Sequence, residues 1–209
     1  DVINRPREWR PLVYCWRGGQ RSGALAWFLG QVGFRTAQLD GGYKAFRSHM
    51  RADLATRAAN LRLTVLCGRT GSGKTRLLHA LKAEGAQVLD LEALACHRGS
   101  VLGSLPAQPQ PAQKRFDTLL WDALRGLDPA QPVFVESESR KIGALHVPDA
   151  LIDHMREHGE CVVVEMAPGA RVQLLLDDYG HFAGDVEGFC DRLDGLIELR
   201  GRATVGAWQ

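Results

Sequence analysis

Residues 68–75 read Gly68-Arg69-Thr70-Gly71-Ser72-Gly73-Lys74-Thr75, the pattern G-x-x-x-x-G-K-[ST] of a phosphate-binding P-loop. Few eight-residue stretches constrain a fold so tightly. Such a loop must leave a strand and open a helix, because only then do its backbone N–H groups converge on one anion with the helix dipole behind them. The flanks fit: Leu61 to Cys67 is a mostly apolar strand-like run, and Lys74 to Glu84 has helical spacing. The glycines permit the tight curl, Lys74 brings positive charge to phosphate oxygens, and Thr75 offers a hydroxyl to Mg2+. The motif specifies phosphate and says nothing of a nucleotide base.

A phosphate site of this kind needs carboxylates at neighbouring strand ends. Glu136 closes the apolar run Val133-Phe-Val and stands where a Walker-B acid would act on metal or water. Glu138, two residues on, and Asp90, after the run Ala86 to Leu89, are further candidates. Val133 to Glu136 and Cys161 to Glu165 read as buried strands, and Lys114 to Leu127 as a helix. Ser104 to Gln113, with three prolines and three glutamines, reads as a loop or mobile flap. Alternating strands and helices predict an α/β class, with a P-loop NTPase-like, doubly wound parallel sheet over residues 56–209.

A second constellation precedes the first. Leu12 to Cys15 is strand-like, Ser22 to Val32 helical, Thr36 to Leu39 strand-like, and Gly41-Gly42 turns into a helix predicted to run through Ala59. Cys15 is followed by Trp16-Arg17-Gly18-Gly19-Gln20-Arg21-Ser22, a loop that can wrap backbone N–H groups around the sulfur, with Arg17 and Arg21 adding positive charge. All of this favours a thiolate, or a terminal chalcogen anion carried on it. The other cysteines, Cys67, Cys161 and Cys190 in particular, fit inert core positions; five in all, without a CxxC pair, argue against a disulfide framework and against zinc.

Composition adds boundaries. At 45% hydrophobic and 24% charged, the 209-residue sequence is ordinary for a globular protein and has no apolar run near the roughly 20 residues of a membrane span. Nothing at its start resembles a signal peptide, and five widely spaced cysteines without a CxxC pair fit a cytoplasmic protein with one special thiol. Residues 1–62 hold 11 Lys+Arg against 4 Asp+Glu, and the remainder 15 against 20. The basic front could attract RNA, or could be a solvated face. The start at Asp1 rather than Met suggests a piece of a longer chain.

Cys15 to Ser22 resembles the active-site loop of a rhodanese domain, which carries sulfur as a persulfide, and Leu39-Asp-Gly-Gly-Tyr-Lys-Ala-Phe-Arg47 resembles that domain's closing glycine-pair segment. Only the later half of such a domain is matched, so residues 1–55 are expected to be a partial rhodanese-like domain and 56–209 a P-loop domain short of its end. Both loops, with Asp90-Leu-Glu-Ala-Leu-Ala-Cys-His-Arg-Gly-Ser100 and Val135-Glu-Ser-Glu-Ser-Arg-Lys-Ile-Gly143, are similar to those of the tRNA 2-selenouridine synthase family. The resemblance implies replacement of sulfur in wobble 2-thiouridine of tRNA by selenium from selenophosphate, through an S-geranyl intermediate made from geranyl diphosphate. It implies catalytic roles for Cys15 in the selenium step and for Glu136. It makes His97, Arg98, Ser100, Ser139 and Arg140 substrate-binding candidates, the two arginines as anion ligands. A Mg2+ at Thr75 and a selenophosphate-supplying enzyme as partner follow from the same likeness. Two other classes stay open: an ATP- or GTP-dependent kinase or ATPase with a regulatory rhodanese appendage, and a non-catalytic phosphate-binding remnant.

Overall fold

The computed structural model describes residues 4–100, 102–105 and 108–209. They form two compact units, Asp1–Leu54 and Ala55–Gln209. In the first, β1 (Leu12–Val13) pairs in parallel with β2 (Ala37–Gln38), with Leu12 opposite Ala37. α1 (Gln20–Gln31) connects them and α2 (Gly42–Ala59) follows. The strands are shorter than the apolar runs predict. From Cys15 the chain is already committed to a loop, its carbonyl accepting from Tyr43 N at 2.9 Å and that of Trp16 from Lys44 N at 2.9 Å.

The second unit begins with β3 (Arg62–Cys67), α3 (Lys74–Ala83), β4 (Gln87–Leu89) and the short α4 (Leu91–Ala95). After α5 (Gln113–Arg125) come β5 (Pro132–Glu136), the hairpin β6 (Lys141–Ile142) and β7 (Leu145–His146), α6 (Asp149–Glu157), β8 (Glu160–Val163) and α7 (Pro168–Tyr179). The short helices α8 (Val186–Leu193), α9 (Ile197–Arg200) and α10 (Arg202–Trp208) complete it. The main sheet is parallel in the order β4-β5-β3-β8, with Leu63 opposite Val133 and Val65 between Val135 and Cys161. β3 lies inside the sheet, so the loop leaving its C-terminal end opens where α/β sheets bind ligands.

Periodicity explains the packing. Phe116, Leu120 and Leu124 fall four apart on α5, forming one stripe, and all three are fully buried. Leu151, Ile152 and Met155 of α6 and Leu78 of α3 are buried likewise, with Leu63, Val65, Leu66, Val133 and Val135 from the sheet. At about 25 cal/mol per Å2 of apolar surface removed from water, these side chains supply most of the drive to fold.

Two expectations are corrected. β8 is not a buried strand: it is the last in the order, bonded only to β3 within that sheet, and Val163 is 63% exposed. A run of valines fits a covered or an uncovered strand equally well, and neighbours decide which. Cys67 and Cys161, assigned above to inert core positions, meet across β3 and β8 as a disulfide, their Cα atoms 6.2 Å apart. Spacing in sequence cannot show this, since the pair arises from strand order. The segment Ser104 to Gln113, expected as a loop or mobile flap, runs as a loop up to α5 among its described residues, with Pro106 and Ala107 outside them. Gln110 ties it down, its amide donating to the carbonyls of Ala95 and Ile142 and accepting from Ala144 N. Among the described residues, no helix is long and apolar enough to cross a membrane.

Candidate active site

The P-loop follows β3 and its last glycine, Gly73, is the N-cap of α3 with φ +84°, a left-handed conformation that other residues adopt at a cost. The loop therefore presents successive N–H groups toward a cavity of about 490 Å3, lined by the loop itself and by Glu92, Arg98, Ser100, Glu136, Glu138 and Ser139, among others. Lys74 Nζ donates to the carbonyls of Gly68 and Arg69, at 3.0 and 3.4 Å. Ser72 Oγ is buried without a hydrogen-bond partner. Arg69 alone of the eight motif residues does not line the cavity.

Carboxylates gather opposite Lys74. Glu136, at the end of β5, is 2% exposed. Burial pushes its carboxyl up to about 7 against the pull of a hydrogen bond from Thr75. Glu138 is raised as well, chiefly by burial. The third member is Glu92, which sequence reasoning did not single out; burial first, then the charges of Glu136, Glu138 and Asp90, push it up to about 8. The signal that could have exposed it is its place, two residues past a helix cap. Asp90 is that cap: its carboxylate accepts from Ala93 N at 2.8 Å and contacts His79 Nε2 at 2.8 Å. Asp90 does not line the cavity, whereas Glu92 and His79 do.

The remaining candidates separate. Arg98 lines the cavity, donates to the Asp178 carbonyl and lies 5.7 Å from the centre of the Tyr179 ring. Ser100 Oγ is 2.8 Å from the Tyr179 hydroxyl. Ser139 lines the cavity with its hydroxyl turned to the Lys141 carbonyl. Arg140, an anion-ligand candidate, pairs with Asp149 and Asp153 of α6 and does not line this cavity. His97 is 6% exposed and also off the wall; burial lowers its pKa.

A second, apolar cavity of about 670 Å3 adjoins the first and shares Thr70, Ser100, Leu175 and Tyr179 with it. Its walls include Val172 and Leu176 of α7, Phe182, and Val186 and Phe189 of α8. Tyr179 stands at the junction, its hydroxyl toward Ser100 and its ring stacked 6.0 Å from that of Phe182. Leu176 and Val186 are 62% and 64% exposed, so this chamber is open on one side.

In the first unit the loop encloses Cys15 as its residue types predict, by a different balance of forces. The thiol falls from an ordinary value near 9 to about 6, owing first to the hydrogen bond from the Ser22 hydroxyl, then to N–H groups of Ser22, Arg17 and Gly19. Ser22 Oγ lies 3.3 Å from Sγ. Arg17 and Arg21, expected to add positive charge, are exposed residues. Gln38, which the sequence did not flag, holds the loop: its amide donates to the Gly18 carbonyl at 2.6 Å and to Ser22 Oγ at 3.0 Å. Trp16 packs 5.6 Å from Tyr43, and Gly19 and Gln20 open α1.

Comparison with known proteins agrees in one direction. The family model described as the tRNA 2-selenouridine synthase AAA domain matches residues 61–192. Proteins named tRNA 2-selenouridine synthase are similar to the chain: that of Nitrosomonas europaea is 36% identical over 84% of this chain and 48% of its own length. That of Alcanivorax borkumensis is 40% identical over 80% and 45%, and that of Aeromonas salmonicida 38% over 81% and 45%. The chain thus spans about half the length of the curated relatives it matches. No solved structure matches it.

Proposed function

The chain belongs to the tRNA 2-selenouridine synthase family, and from that premise we propose that it acts in the cytoplasm on tRNA, exchanging the sulfur of wobble 2-thiouridine for selenium through an S-geranyl intermediate. The observation that carries this reading is the joined pair of chambers: a polar one at the P-loop and an apolar one meeting it at Tyr179. That shape suits a diphosphate head with a hydrocarbon tail, such as geranyl diphosphate.

In this scheme the thiocarbonyl sulfur attacks C1 of the geranyl group, the C–O bond breaks, and diphosphate leaves with the electron pair. Lys74 and the loop N–H groups stabilise the charge that grows on the leaving oxygens. Arg98 adds a second cation at the rim. Thr75 and the buried, unpartnered oxygen of Glu136 suit a Mg2+ ion, which when bound would neutralise diphosphate charge. In the second stage the selenium of selenophosphate attacks C2 of the S-geranyl base, geranylthiolate leaves with the C–S electron pair, and water then cleaves the Se–P bond to release phosphate. A rhodanese-like Cys15 loop, with its low-pKa sulfur, serves that stage by holding or activating the selenium donor.

Calorimetric titration of the chain tests the first stage directly. Geranyl diphosphate should bind at least about a hundredfold tighter than inorganic diphosphate, because its methylenes leave water at about 0.8 kcal/mol each when buried. Lys74→Ala should weaken both by about tenfold or more. Tight binding of ATP with none of geranyl diphosphate would replace this reading by a nucleotide-dependent kinase or ATPase.

A further inference from the structure

Three acids from different parts of the chain converge on the cavity wall. Glu92 comes from the first turn of α4, Glu136 from the end of β5 and Glu138 from just beyond it. One carboxylate oxygen from each lies within 4.8 Å of the others. Such crowding of like charge is unfavourable unless a cation stands among the oxygens.

Two further observations point to a ligand. Glu136 is 2% exposed, yet its Oε1 accepts no hydrogen bond. An unsatisfied buried acceptor costs about 1–3 kcal/mol, more when it is charged. The Lys74 ammonium, the nearby cation, donates to the carbonyls of its own loop. The oxygens are also confined. Gly99, at φ +62°, lays bare backbone against them, and a Cβ there would stand 2.5 Å from Glu92 Oε1 and 2.9 Å from Glu138 Oε1. Thr75 Oγ1 lies 3.5 Å from Glu92 Oε2, adding a neutral oxygen to the set.

We propose that Glu92, Glu136 and Glu138, with the Thr75 hydroxyl, form a site for one hard divalent cation, Mg2+ or Mn2+, that fills before any phosphate ligand arrives. Anionic and neutral oxygens, with no nitrogen or sulfur among them, are the donors that such ions prefer. This differs from the usual P-loop arrangement, in which the ion has one or two protein ligands and depends on the phosphates for the rest. Three carboxylates reverse that dependence: the ion is resident, and a diphosphate docks between it and Lys74. The inference holds whichever tail the apolar chamber accepts.

Electron paramagnetic resonance of Mn2+ titrated into the chelator-treated chain, with no phosphate present, tests it. One Mn2+ per chain should bind and be displaced by Mg2+. Glu92→Gln and Glu138→Gln should each weaken binding at least tenfold, while Glu157→Gln, an exposed acid on α6, should leave it unchanged. Thermal unfolding provides a second readout: Mn2+ should raise the midpoint of the parent chain and not that of a folded Glu92→Gln variant. The proposal is overturned if Mn2+ binds stoichiometrically only after inorganic diphosphate is added. It is equally overturned if Glu92→Gln and Glu138→Gln bind Mn2+ as the parent does.

Discussion

Cys15 shows how one hydroxyl can set a reactivity. Ser22 sits one helical turn inside α1, is 2% exposed, and directs Oγ at the sulfur. Hydrogen bonds to the thiolate lower its pKa to about 6, so the anion predominates above that pH and disappears below it. Alkylation of Cys15 by iodoacetamide, followed by peptide mass spectrometry, should therefore reach half its maximal rate near pH 6. Ser22→Ala should move that midpoint upward, toward an ordinary thiol. A midpoint that stays in place would assign the anion's stability to the backbone N–H groups alone. The residue types around Cys15 forecast a stabilised sulfur. That a short hydroxyl side chain comes first among the groups stabilising it depends on Ser22 Oγ reaching Sγ across the loop, and on that the sequence is silent.

At the level of elements, the turn before α2 decides whether the cysteine loop exists. Gly41 and Gly42 have φ values of +63° and +61° in succession, which carries Tyr43 N and Lys44 N back onto the carbonyls of Cys15 and Trp16. A Cβ on Gly42 would overlap Cys15 O and Gly18 N, both backbone atoms that cannot move aside cheaply. Gly42→Ala is expected to cost about 1–3 kcal/mol in denaturant unfolding of its unit. It should also raise the Cys15 alkylation midpoint, which a merely destabilised core would leave alone. Elements long enough to repeat were readable in advance: α5 carries its stripe over 13 residues, and the P-loop names the strand and helix at its two ends. α4 has five residues, too few to show a period, and so Glu92 escaped notice. The strands of the β6–β7 hairpin have two residues each, and the pairing of its neighbour Arg140 with Asp149 and Asp153 of α6 depends on the fold.

On the scale of the whole molecule, the joined chambers separate head recognition from tail recognition. Leu176 on α7 lines only the apolar one and is 62% exposed, so a charge there should leave stability within about 0.5 kcal/mol. Leu176→Arg should weaken geranyl diphosphate at least about tenfold, since the tail would then meet a hydrated guanidinium. Affinity for inorganic diphosphate should stay the same, and equal loss for both ligands would place the tail elsewhere. The sequence by itself determined the chemistry of each loop, because a P-loop and a cysteine loop are local: their residues lie within one turn of backbone, and spacing alone fixes which groups converge. Tertiary structure alone decided what stands opposite them. Glu92 beside Glu136 and Glu138, Tyr179 between two chambers, and Cys67 against Cys161 bring together residues whose separation along the chain reflects only the path of the sheet. No periodicity or motif encodes that path, since it follows from how all the strands and helices pack at once.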